Sequence, residues 1–394
     1  LIAGEQAAFN VNAAIETADE IENPAPKSKA LLAIAREQAN TDPETANRKL
    51  ETAKELVING LFIGKDAQLF SLATEEANVA NKLVITDPFK SAMDTATRIQ
   101  NQNIKVRALC HIASEQVKTS LKAANKTLND AKTIATTIPF YNNKAMALLA
   151  IASTEVKTNL VAANKTFTDA IAAAQSIPDA HQKSDALQLI AGEQAAFNVE
   201  AAIKTAEEID VPDSQAKALL AIAREQAKTD PETANRQLET AKNLVIDRRF
   251  IHKDDQPFSL ITNPNIKVRA LCDIASEQAN TDSNAANETL NDAKNIANKI
   301  PFNNNKAMAL LAIASTKVKT NSANANQTFN SAIAAAQSIP EPYQKADALR
   351  LIASEQAAFD VKAAIETANE IDVSDSQAKA LLAIAHSIRL TLTQ

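Results

Sequence analysis

Apolar residues recur along the chain at steps of three and four, the spacing that lines up one face of an α-helix. Around residues 28–39 the stripe is Leu31, Ile34, Ala35 and Ala39, and Leu32 and Ala33 widen it. A helix apolar over so much of its circumference has to be covered on two sides. After a short polar turn a narrower stripe follows, Ala46, Leu50 and Ala53, matched later by Ala124, Leu128 and Ala131 and by Ala163, Phe167 and Ala170. The turns Thr41-Asp42-Pro43-Glu44 and Thr229-Asp230-Pro231-Glu232 carry helix-start chemistry: an acid at the N-cap, proline at the first helical position, then an acid near the positive end of the dipole. Pro139, Pro178, Pro301 and Pro340 then interrupt the pattern where a second helix must stop. The unit this predicts is helix A, turn, helix B, linker.

One phrase, A-L-x-x-I-A-x-E-Q, returns from end to end. Its isoleucines are Ile2, Ile34, Ile112, Ile151, Ile190, Ile222, Ile274, Ile313, Ile352 and Ile384, each followed by alanine, with Leu72-Ala73 as a divergent copy. Successive copies lie 32 to 40 residues apart, a two-helix spacing, except for 52 between Ile222 and Ile274. A longer period overlies this one. Leu1 to Phe70 returns as Leu189 to Phe258 at an offset of 188, and Asn103 to Asp185 as Asn265 to Asp347 at an offset of 162. The chain therefore reads as super-repeats 1–188 and 189–350, the second shortened by 26 residues near 260–265, with a partial third copy at 351–394. The opening LIAGEQAAF has no capping residue before it, the pattern expected of an array that continues upstream.

An A helix with Leu-x-x-Ile-Ala, a short turn, and a B helix with Ala-x-x-x-Leu/Phe-x-x-Ala resembles the tetratricopeptide-like superfamily, and is similar to bacterial two-helix arrays reading A-L-x-x-I-A. The likeness covers nearly all of the chain. The chain departs from the tetratricopeptide pattern in lacking its A-helix Trp, Gly and Tyr, and in favouring a spacing of 39 residues where that family has about 34. The resemblance implies a right-handed superhelix with a ligand-holding groove lined mainly by A helices. The expected fold class is all-α, an α-solenoid of stacked antiparallel helix pairs.

Composition narrows the chemistry. Glycine occurs four times and tryptophan never, so tight turns and strands are disfavoured. The net charge of −6 and an aromatic content of 4% argue against nucleic acid, which needs basic and stacking side chains. Cys110 and Cys272 are the same position of two copies, in RALCHIASEQ and RALCDIASEQ, and are expected to be separate small core residues, as in a reducing compartment. His111, His181, His252 and His386 share no period, and adjacent Cys110 and His111 point about 100° apart on a helix, so no metal site is expected. No apolar run is long enough to span a bilayer. Phosphate-loop, nucleophile-elbow and zinc-protease motifs are absent, so neither an enzyme, a cofactor nor a small-molecule substrate is expected.

What remains is surface. A glutamate three residues after the isoleucine recurs as Glu5, Glu37, Glu115, Glu193, Glu225, Glu277 and Glu355, followed each time by glutamine. Stacked A helices would set these carboxylates about 10 Å apart, an acidic ladder able to hold a basic or amide-rich segment. The alternative is that each Glu-Gln pair ties adjacent repeats together or solvates the helix. Lys27, Lys105, Lys144, Lys183, Lys267, Lys306 and Lys345, seven residues before the isoleucine, form a second ladder expected to neutralise the glutamates of a neighbouring unit. Arg248 and Arg249 could hold an acidic group or sit in a solvated loop. A protein- or peptide-binding scaffold is the leading function, with a spacer in a longer polypeptide, or single-stranded RNA binding, as alternatives. From about Asp247 to Pro264 the array should make an irregular excursion that buries Phe250, Ile251, Phe258 and Leu260.

Overall fold

The described residues of this computed structural model are 2–60, 64–83, 87–246, 263–320 and 324–392, and every element among them is an α-helix. The chain forms two units, Leu1–Phe197 and Asn198–Gln394. In the first, the A helices are α1 (Ile2–Ala7), α3 (Pro24–Gln38), α5 (Lys65–Ala80), α7 (Gln102–Gln116), α9 (Tyr141–Glu155) and α11 (Ala180–Ala195). The B helices between them are α2 (Val11–Asp19), α4 (Pro43–Asn59), α6 (Lys90–Thr97), α8 (Leu121–Thr136) and α10 (Leu160–Gln175).

The second unit opens with a B helix, α12 (Val199–Glu207), and continues with α14 (Pro231–Ile246), α16 (Ser283–Asn298), α18 (Ala325–Gln337) and α20 (Val361–Asn369). Its A helices are α13 (Pro212–Gln226), α15 (Pro264–Gln278), α17 (Asn303–Lys319), α19 (Pro342–Gln356) and α21 (Ser374–Leu392). In each unit an A helix packs on the B helix that follows it and also on the next A helix, which makes each unit a stack of antiparallel helix pairs, an α-solenoid.

That double contact is what the broad apolar face of helix A requires. Leu31, Leu32, Ile34 and Ala35 in α3, Leu148, Leu149, Ile151 and Ala152 in α9, and Leu310, Leu311, Ile313 and Ala314 in α17 are all buried. Helix B turns only its narrow stripe inward, with Ala46, Leu50 and Ala53, then Ala163, Phe167 and Ala170, buried in a row. Alanine along both faces lets the axes approach closely, about 8–10 Å. An isoleucine just past helix B, Ile99, Ile138, Ile177, Ile300 or Ile339, is buried in the linker and closes the end of the pair.

Helix starts are fixed locally. Asp42 accepts from the Thr45 N–H at 3.0 Å and Asp230 from the Thr233 N–H at 3.0 Å, each beside the proline that opens its B helix. Asn10, Asn101, Ser120, Asn159, Asn198 and Asp282 do the same elsewhere. Part of the lysine ladder serves the other helix end, while Lys345 pairs with the Asp372 carboxylate at 2.7 Å. Lys27 donates to the Asp19 carbonyl, Lys65 to Ile58, Lys267 to Ile246 and Lys306 to Asn298, so the lysine of one A helix caps the C-terminus of the B helix before it. Where the position is glutamine, Gln215 and Gln377 donate to Ala206 and Ala368 carbonyls in the same way. These lysines therefore do not neutralise the recurrent glutamates, because the carbonyl end of the preceding helix lies nearer to them.

A buried bond joins A to B. The glutamine four residues after the isoleucine lies inside the pair and accepts from a B-helix threonine eleven residues on: Thr127 to Gln116 at 2.8 Å, Thr289 to Gln278 at 2.7 Å and Thr367 to Gln356 at 2.8 Å. Thr166 makes the same bond to Glu155 at 2.6 Å. Gln38 and Gln226 have Lys49 and Gln237 at the threonine position, and their Oε1 atoms are buried without a partner.

Between α14 and α15 the residues 247–262 lie outside the described ones, and with them the excursion expected of Phe250, Ile251, Phe258 and Leu260. Pro264, expected to end that excursion, is instead the first residue of α15, capped by Asn263, because a proline needs no N–H partner at that position. Helix α15 packs on both α13 and α14, so the stack in the second unit is continuous across the 52-residue spacing.

One substitution should act with opposite signs at equivalent sites. Gln116→Leu strands the Thr127 hydroxyl and should cost about 1–3 kcal/mol, whereas Gln38→Leu removes an acceptor that already lacks a donor and should be neutral or stabilising. Urea unfolding of the two variants beside the wild type measures both.

Candidate functional site

In most A helices the residues one before, two after and three after the isoleucine line a partly exposed stripe; the position three after is buried at Glu75, Thr154 and Thr316. Within it the glutamates are engaged in a repeated contact. Arg36, two after Ile34, donates from Nε to Glu75 of the next A helix at 2.8 Å. Ser153 donates to Glu193 at 2.9 Å and Ser315 to Glu355 at 3.0 Å, in each case from the position two after the isoleucine to the glutamate three after the next one. Arg224 donates twice to Glu277, at 2.9 and 2.6 Å. In the first super-repeat the partner of Arg36 belongs to the repeat that the second super-repeat has lost, and Arg224 takes the carboxylate of the following repeat in its place.

The remaining glutamates differ. Glu115 accepts from Asn81 at 2.8 Å and pairs with Lys118 at 2.7 Å, and Glu225 pairs only with Lys228, at 2.6 Å. Glu37 is exposed and makes no hydrogen bond or ion pair among the described residues. Arg248 and Arg249 lie outside the described residues. The seven glutamates thus fall into carboxylates held by a neighbouring repeat, Glu115, Glu193, Glu277 and Glu355, and carboxylates that face water, Glu5, Glu37 and Glu225. The inter-repeat bonds bias the two arginines as well: the Glu75 hydrogen bond raises Arg36 above its ordinary value, and the Glu277 bond does so for Arg224.

The rest of the stripe has an order that the repeat phrase conceals. In the first unit α7 presents Arg107 and His111, α9 presents Met146 and Ala150, and α11 presents Asp185 and Leu189, the leucine 46% exposed. In the second unit α15 presents Arg269 and Asp273, α17 presents Met308 and Ala312, and α19 presents Asp347 and Leu351, again exposed. Three neighbouring A helices thus pass in the first unit from a basic group through a small apolar surface to an acid beside a leucine; in the second unit the same positions recur with Asp273 beside Arg269 and with Asp347 paired to Arg350 at 3.4 Å. Reading for shared residues obscures this feature, since it resides in positions that differ between neighbouring repeats and agree between super-repeats.

His111 is half-buried rather than exposed, because its Nε2 meets the Asn78 Oδ1 of α5 at 3.1 Å. Among the described residues no three His, Cys, Asp or Glu side chains are arranged to hold a metal ion. Nor is any described helix long and apolar enough to cross a membrane. A cavity of about 600 Å³ lies by Ile58, Lys65, Leu69 and Arg98, where the Asp66 carboxylate is already occupied by the Gln100 and Asn101 N–H groups at 3.0 and 2.8 Å.

No family model matches the chain, and neither does any curated protein. Among solved structures the chain is similar to the crystal structure of Ton1535 from Thermococcus onnurineus NA1, at 16% identity and a TM-score of 0.37 over 79% of this chain and 98% of that one. It is also similar to a circular tandem repeat protein with novel repeat topology and enhanced subunit contact surfaces, at 13% identity and a TM-score of 0.30 over 98% and 95% of the two chains. Likenesses this distant carry no functional inference.

Burial also decides the cysteines, which are both free and lie in the A helices α7 and α15. Loss of solvent pushes the Cys110 thiol up to about 12 and the Cys272 thiol up to about 11, far above the range in which a thiolate forms at neutral pH. Ellman's reagent at pH 8 should therefore find no fast thiol in the native protein and two after guanidinium unfolding. A fast native thiol would show that one of these helices opens.

Proposed function

We propose that the chain is a protein- or peptide-binding repeat scaffold whose binding surface is the exposed stripe of its A helices, and that it is neither an enzyme nor a nucleic-acid binder. The observation that carries this reading is the order basic, small apolar, acidic-plus-leucine on α7–α9–α11, at positions that recur on α15–α17–α19. Leu189 and Leu351 are exposed beside Asp185 and Asp347 at the same place in both copies. Three stacked A helices span about 20 Å, the length of a six-residue extended segment or a short helix. The matching partner has an acidic residue opposite Arg107 or Arg269, an apolar side chain over the Met-Ala surface and the leucine, and a basic residue toward the aspartate. Membership in the tetratricopeptide-like superfamily belongs to the same proposal and rests on the repeat phrase alone.

The competing reading is a spacer with no ligand of its own. It is favoured by the engagement of Glu115, Glu193, Glu277 and Glu355 in contacts that tie the array together. Selection from a displayed peptide library separates the two. The scaffold reading expects enriched peptides with an acid, an apolar residue and a base in that order, and a loss of at least tenfold in affinity when Arg107→Glu and Arg269→Glu are combined. A library with no enrichment, or binding indifferent to the charge reversal, supports the spacer.

A further inference from the structure

Two neighbouring A–B turns of the first unit carry a surface that their counterparts in the second unit lack. Helix α8 begins Leu121-Lys122 and has Lys126 one turn on; helix α10 begins Leu160-Val161 and has Lys165 at the matching place. The two helices are neighbours, since Lys132 of α8 donates to the Thr166 hydroxyl of α10 at 2.5 Å. Their first turns are fixed by caps: Ser120 accepts from the Ala123 N–H, and Asn159 from those of Val161 and Ala162. Held this way, the apolar side chains that open both helices stand in water, Leu121 52% exposed, Leu160 55% and Val161 81%.

The charge around them is of one sign. Lys122, Lys126, Lys157 and Lys165 are exposed and make no side-chain hydrogen bond or ion pair among the described residues, whereas Lys118 is already held by Glu115. From Val117 to Lys126 and from Val156 to Lys165 there is no Asp or Glu, and Glu155 is buried on Thr166. The first acids along the two helices are Asp130 and Asp169, the latter beside Lys132. In a chain of net charge −6 this is a local surplus of cations. The second unit builds the same turns without it. At the offset of 162, Leu121 becomes Ser283, Lys122 becomes Asn284 and Lys126 becomes Glu288, all exposed, while Leu160, Val161 and Lys165 become Ser322, Ala323 and Gln327. Neither the aliphatic residues nor the lysines are therefore needed to form the helix starts.

A partner that complements this edge is anionic and has apolar material beneath its charge. Lysine is a point charge that imposes no geometry, and lysine, leucine and valine are residues that protein interfaces use little. The Trp, Tyr and Arg that anchor protein interfaces are missing from both segments, as are aromatic rings on which a nucleic-acid base would stack. We propose that this edge of the first unit, the α7–α8 and α9–α10 turns, rests on an anionic lipid bilayer, its lysines among the headgroups and Leu121, Leu160 and Val161 in the acyl boundary. Such an edge lies on a membrane without crossing it.

Flotation of the full chain with vesicles tests this. The wild type should float with vesicles of phosphatidylcholine containing about one-third phosphatidylserine and stay behind with phosphatidylcholine alone, and about 0.5 M salt should weaken binding at least tenfold. Combining Leu121→Ser, Lys122→Asn and Lys126→Glu installs residues with which the second unit already folds, and should lower the affinity at least tenfold. Leu160→Ser with Val161→Ala keeps every charge and should also weaken binding severalfold, which attraction by charge alone does not explain. Absence of wild-type binding to the anionic vesicles overturns the proposal, as does wild-type affinity in the triple variant. Capture by a helical peptide rich in leucine and glutamate, without vesicle binding, overturns it too and assigns the edge to a protein.

Discussion

In the helix pairs that have it, the buried hydrogen bond between the A-helix glutamine and the B-helix threonine fixes how one helix sits on the other. Alanine-rich faces let helices come close, but they are smooth, and many relative rotations of two such helices bury similar area. A polar pair that is costly when unmade selects one of them. The same bond recurs eleven residues apart at Gln116, Gln278 and Gln356, and in the first unit with Glu155 in the acceptor role. With A and B held in that register, the exposed stripe of each A helix points the same way as its neighbour's. The arginine or serine two after one isoleucine reaches the glutamate of the next repeat as well, from α3, α13 and α17, whose own pairs lack the buried bond, and from α9, whose pair has it.

Stacking in this chain is therefore governed by side-chain register rather than by distance along the sequence. Arg224 and Glu277 are 53 residues apart and make the contact that Arg36 and Glu75 make at 39. The second super-repeat lacks the stretch between them, and the repeats on either side still match because α13 offers the donor and α15 the acceptor that α3 and α5 offer in the first unit. Duplication and deletion of this kind leave the array intact while shifting which exposed residues become neighbours. Substitution adds to this, as where Glu155 of the first unit is Lys317 in the second.

The helices, their pairing, the Asp-Pro starts and the buried cysteines were legible in the sequence, since each follows from periodicity or a local cap. The roles within the Glu-Gln phrase were not. Both residues recur together, yet adjacent positions on a helix point about 100° apart, so Gln116 turns inward and Glu115 outward. Only the packing partner shows which is which. The lysine ladder was misread for a related reason: a carbonyl acceptor at the end of the preceding helix leaves no trace in residue types, whereas a recurrent glutamate does. The ordered surface on α7–α9–α11 was invisible to a search for shared residues, because it consists of the positions at which neighbouring repeats disagree.

A double-mutant cycle on Gln356 and Thr367 tests the role of the buried bond most directly, since the 2.8 Å bond between them is the only side-chain hydrogen bond of Gln356 among the described residues. Gln356→Leu, Thr367→Val and the double variant are compared with the wild type by urea unfolding. The account predicts that each single variant loses about 1–3 kcal/mol and that the double variant recovers much of it, leaving a coupling of at least about 1 kcal/mol. Additive losses with no coupling would contradict it and return the register of the pair to apolar packing alone.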